Sequence, residues 1–161
     1  MATNTLIQYL ESSQTSGLGV SVPVGASAMD RSQTETFIAG GTVAVGDWVA
    51  FDTSKTGPNK VLTVVQAANV ALGNPLVCGV VLGADNTAGL LTAGNKVKVC
   101  ISGFVAAAKV NAGVVAAGTP LVVDTTVATA HAAATGDISM CGVSLSASVA
   151  GLAEVWVYKQ F

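Results

Sequence analysis

Reactive chemistry needs side chains that attack, transfer protons or hold metals, and this chain supplies few of them. Its single histidine, His131, sits in Ala130-His131-Ala132-Ala133. An imidazole acts in catalysis only beside an orienting carboxylate and a nucleophile, and in metal binding only beside further ligands. Sequence spacing places none of these near His131, which reads as a solvated loop residue. Asp47, Asp52, Asp124 and Asp137 border turns, where a carboxylate accepts backbone N–H bonds. No loop shows the ligand series of a calcium site. The three cysteines, Cys78, Cys100 and Cys141, are odd in number and lack Cys-x-x-Cys spacing. They read as small, buried, reduced thiols, with a Cys78–Cys141 bridge as the alternative. Gly89-Leu90-Leu91-Thr92-Ala93-Gly94-Asn95-Lys96 superficially suggests a phosphate loop. Asn95 interrupts the required Gly-Lys pair and a β pattern follows, so a hairpin turn is expected. No catalytic, cofactor or metal set emerges, and the chain is expected not to be an enzyme.

The carboxyl-terminal run is more informative. Glu154, Trp156 and Tyr158 alternate with Val155 and Val157, so the aromatic pair shares one strand face. Such residues suit an interface, because they bury area while keeping a polar handle. The competing reading makes the aromatics core and the valines solvent-facing.

The elements that must position these residues follow a pattern written twice. Val43-Ala-Val-Gly46-Asp-Trp-Val49-Ala-Phe51-Asp52-Thr53 returns as Val115-Ala-Ala-Gly118-Thr-Pro-Leu121-Val-Val123-Asp124-Thr125, 72 positions on. Gly46 and Gly118 are expected to open equivalent strands at turns where φ is positive. Val77-Cys78-Gly79-Val80-Val81-Leu82 is echoed 63 positions later by Met140-Cys141-Gly142-Val143-Ser144-Leu145. The closing runs are paired as Val97-Lys98-Val99-Cys100 with Val155-Trp156-Val157-Tyr158.

Alternation predicts strands over 47–53, 60–67, 77–84, 96–107, 121–126, 138–146 and 154–161. In the longest of these, Val97, Val99 and Ile101 share one face and Lys96, Lys98 and Cys100 the other. The loop through 130–136 follows the first strand of the second copy, and Ala-rich 127–135 has a short helix as its alternative. The fold is therefore expected to be all-β. Its body spans 42–161, with a first copy at 42–107 and a second at 113–161.

Residues 1–41 differ in kind. They are rich in Ser, Thr and Gln, and Pro23 limits the alternating Val20, Val22 and Val24 to an edge or extended arm. Leu6, Ile7 and Leu10 have helical spacing, with Tyr9 beside them. The segment reads as an extended amino-terminal arm that lies on another surface through these residues.

Composition narrows the function classes. The chain is 51% hydrophobic and 10% charged, where globular proteins average about 25% charged. A surface so poor in charge is prone to association. Seven scattered basic residues and a net charge of −2 leave no basic stripe, so no nucleic-acid partner is expected. The 99–117 run carries Lys109 near its middle, which argues against a membrane span. Residues 1–13 lack the pattern of a signal peptide.

Val-Gly-Asp-Trp-Val-Ala-Phe-Asp at 45–52, Cys-Gly-Val-Val-Leu-Gly-Ala at 78–84, Val-Lys-Val-Cys-Ile-Ser-Gly-Phe-Val at 97–105 and Ala-Ala-Gly-Thr-Pro-Leu at 116–121 carry a resemblance. Over 42–161 the chain resembles the capsid decoration, or cement, proteins of tailed bacteriophages. That resemblance implies a compact β-barrel or β-tulip-like body. It further implies a homotrimer seated on the outer face of the virion head, after synthesis in the host cytoplasm. The arm would grip the major capsid protein, and no cofactor is implied. The alternative from another class is a carbohydrate- or receptor-binding β module on a virion or cell surface, which would need exposed aromatics.

Overall fold

Strand β4 (Val77–Ala84) is the run of Val and small residues anticipated for it, and β5 (Lys96–Lys109) extends the longest anticipated strand by two residues. A computed structural model of the chain describes residues 32–68 and 73–158. Ahead of β4 come β1 (Gln33–Ala39), β2 (Trp48–Phe51), a one-turn helix α1 (Asn59–Leu62) and β3 (Thr63–Gln66). After β5 come β6 (Pro120–Val123), β7 (Ala130–Ala132), β8 (Gly142–Ser144) and β9 (Leu152–Val157). The protein is all-β. Its strands follow the order β1-β3-β2-β4-β5-β9-β8-β6-β7, and β1 also pairs with β5. Strands β1, β3, β2, β4 and the first half of β5 thus close a five-strand ring.

The doubled pattern is visible in the hydrogen bonds themselves. Gly46 N–H donates to Val81 O and, in the second half, Gly118 N–H to Ser144 O, at 2.9 and 2.7 Å. The reciprocal bonds, Val81 N–H to Asp47 O and Ser144 N–H to Thr119 O, are both 2.9 Å. Gly46 and Gly118 have φ of 85° and 81°, as their shared turn requires. The thiols of Cys78 and Cys141 lie 3.4 Å from equivalent acceptors, Val49 O and Leu121 O. Gly79 and Gly142 mark equivalent close approaches of β4 to β5 and β8 to β9. A Cβ would fall 2.0 Å from Cys100 O at the first and 2.5 Å from Trp156 O at the second.

The second half borrows its opening strand. Gly40 N–H donates to Val64 O at 2.7 Å as Asn111 N–H does to Ala130 O at 2.8 Å. Ala39 lies parallel to Val64 just as Val110, directly after β5, bridges parallel to Ala130. The second half of β5 therefore does for the second ring what β1 does for the first. One long strand serves both rings.

Two cores follow. Phe37, Ala39, Val43, Val49, Val64, Cys78, Val81, Val97, Val99 and Ile101 fill the first ring. The equivalent positions of the second ring fall together in the other core. Several are smaller: Ala108 for Phe37, Ala130 for Val64 and Ala153 for Val97. Trp48, fully buried, belongs to this second core. Its indole N–H donates to Lys109 O at 3.0 Å, and its ring edge lies 3.3 Å from where a Gly142 Cβ would stand. The bulky side chain of one half fills the space left by the small residues of the other.

Four expectations need correction. Residues 33–39 are not arm: Phe37 and Ala39 are core, and β1 pairs with β5 from Gln33 to Ile38. The first copy therefore begins before residue 42, and the second includes the end of β5 rather than starting at 113. Exposed Gln33, Glu35 and Thr36 disguised the strand. The closing runs align two residues away from the pairing read in the sequence. Val81 faces Val99 as Ser144 faces Val155, so Cys100 corresponds to Trp156, and a shift of two preserves the face. Cys100 is buried despite sharing a face with Lys96 and Lys98, because the second half covers that part of β5. Finally, 60–67 is not all strand. Pro58, with φ of −65°, starts the turn of α1, and β3 begins only at Thr63. The Ala-rich run around His131 is a strand, not a helix.

Candidate interaction surface

Strand β9 separates the two readings of its aromatics. Ala153, Val155 and Val157 are buried core, whereas Glu154 is exposed, Trp156 is half-buried and Tyr158 is 40% exposed. The valines face inward and the aromatics outward. Trp156 is flanked by Phe104 on β5 and Val143 on β8, each directly opposite it. All three are half-buried, and none belongs to either core. Tyr158 continues the face beside Met140, which is 46% exposed.

In the other direction, Leu145 N–H donates to Glu154 O at 2.7 Å, setting Leu145, 41% exposed, beside Glu154. A bulge in β5 between Val105 and Ala108 helps shape a shallow depression of about 510 Å³, lined by Ala106, Ala107, Val149, Leu152 and Glu154 among others. The described face is apolar apart from Glu154, Ser146 and the Tyr158 hydroxyl.

Polar groups elsewhere mostly serve structure. Asp47, fully buried, accepts the Ala44 N–H at 2.8 Å and the Gln66 side-chain amide at 2.7 Å on Oδ2. Its Oδ1 makes an ion pair with Lys109, tying the first ring to the end of β5. Asp52 and Asp124 close equivalent turns, accepting the N–H of Ser54 and Thr126 at 3.0 and 3.2 Å. The Ser54 hydroxyl, aided by its N–H and by Lys55, holds the Asp52 carboxyl below the usual range against a smaller effect of burial. Burial pushes Asp124 up, but the Thr126 N–H, the Asn111 amide, the Thr125 hydroxyl and His131 together outweigh it and leave the carboxyl lowered.

His131 Nε2 stands 3.6 Å from Asp137 Oδ2, and Nδ1 is buried without a hydrogen-bond partner. Among the described residues no three His, Cys, Asp or Glu side chains gather to hold a metal. Cys78, Cys100 and Cys141 are free and buried. Burial pushes the Cys78 thiol up to about 12 and raises the other two. No described helix is long and apolar enough to cross a membrane.

Of the residues singled out in the sequence, Trp156 and Tyr158 share this outward face, and Gly46 and Gly118 sit at the turns anticipated for them. Leu6, Ile7, Tyr9, Leu10, Val20, Val22 and Val24 lie outside the described residues. Phe104 and Val143 escaped the sequence reading. Their signal lay in the register of β5 and β8 against β9, which only a correct alignment of the repeats reveals. Neither a protein-family model nor a curated protein sequence matches the chain.

Proposed function

We propose that this chain is a structural protein that stabilises the head of a tailed bacteriophage, binding its outer surface across joints between capsomers. The observation that carries the reading is the resemblance of 42–161 to capsid decoration proteins. A charge-poor β body with an outward apolar face is the material such a role requires. Association as a homotrimer with the major capsid protein, and residence on the virion surface, belong to the same proposal. Trp156 and Tyr158 on one accessible face also suit stacking against a sugar. That favours a carbohydrate-binding module as the second reading.

The deciding experiment mixes purified chain with heads that lack it. Co-sedimentation with the heads, together with a higher temperature for release of packaged genome, is expected. Failure to bind, with capture on a glycan array, would replace the capsid reading with the sugar one. A variant lacking residues 1–25 addresses the arm. It is expected to keep the β body folded while binding heads more weakly and protecting them less. Equal binding and protection would assign the cementing to the body alone.

A further inference from the structure

We infer that the outward face of β5, β8 and β9, centred on Trp156, is the seat of a second copy of this chain. The argument comes from the internal repeat and goes beyond the capsid reading. Thr34, Cys100 and Val80 form a row across β1, β5 and β4. Phe104, Trp156 and Val143 form the equivalent row across β5, β9 and β8. Within one chain the first row has a cover. Cys100 and Val80 are fully buried, in the same core as the interior of the second ring. Trp48, opposite Val80, reaches into that core.

The second row carries larger apolar groups, Trp in place of Cys and Phe in place of Thr, yet all three stay half-buried and outside both cores. Around the row stand Leu145 and Leu152, 41% and 40% exposed, and Val149, 75% exposed. A face with this composition favours burial.

The fold already shows what covers such a row, namely another ring of this chain. The second ring fills that role for the first, so the cover for the second ring comes from another molecule. Charge points the same way. β8 and β9 contribute Glu154 and no cation, which disfavours nucleic acid or an anionic membrane surface. Unlike surfaces meet in such a contact, so the assembly either closes into a cyclic oligomer or grows with concentration.

The test uses the full chain alone, without heads, so that it fails separately from the capsid reading. Sedimentation velocity from low to high micromolar concentration is expected to show oligomers. Trp156→Glu and Val143→Lys should each weaken association by about tenfold or more, as loss of a central contact does. Val61→Glu, on the exposed helix α1, should leave association unchanged. Trp156→Glu retains Trp48, whose blue-shifted emission reports an intact fold. If it misfolds, Val143→Lys at the flank of the row decides. A chain that stays monomeric throughout, or oligomers indifferent to the folded variants, would overturn the inference.

Discussion

Two glycines that look interchangeable in sequence are expected to behave differently. Gly46 and Gly118 share a turn and a φ near 80°, a region that costs other residues about 1–2 kcal/mol. A Cβ at Gly118 meets open space, whereas one at Gly46 would lie 2.7 Å from Ala107 O. Gly118→Ala should therefore lose about 1–2 kcal/mol, and Gly46→Ala clearly more; urea denaturation of the two variants would measure the gap. Equal losses would mean that β5 yields freely at Ala107. The thiols provide a second residue-level check. With Cys78 pushed up to about 12 and all three buried, the folded protein at pH 8 should resist labelling by a disulfide reagent, and denaturant should release three reactive thiols.

The paired turns after β2 and β6 are where acid should act. Both Asp52 and Asp124 are lowered in the folded state, so each stabilises the fold above the unfolded carboxyl value of about 3.9. That contribution disappears as pH falls through the lower, folded values. The melting temperature should drop on acidification below about pH 4, and the double variant Asp52→Asn, Asp124→Asn should show a shallower acid slope. At this scale the sequence was legible wherever apolar and polar residues alternated cleanly: β4 coincides with the strand read from it. It was opaque at β1, where polar residues line the outer face, and at β7, where Ala is as common in helices as here. The outward position of Trp156 and Tyr158 could be framed only as one of two options, because alternation gives two faces without saying which is inside.

The two rings are not separate domains, since β5 belongs to both and Trp48 of the first lies in the core of the second. Calorimetry should therefore show one cooperative transition, with equal calorimetric and van't Hoff enthalpies. Trp48→Ala should destabilise the whole by about 3–5 kcal/mol rather than melt one half alone; two resolved transitions would contradict this. The shared strand also brings the ends of the body together. Gln33 stands level with Ser102, Val157 with Gly103, and the Ser32 hydroxyl donates to Phe104 O at 2.8 Å. Whatever precedes residue 32 and whatever is fused behind residue 161 are thus tethered at nearly one point, the midpoint of β5. Two binding segments attached there would meet at an effective concentration in the millimolar range set by their short tethers, so a weak ligand added at one end would act as a strong competitor or helper of the other.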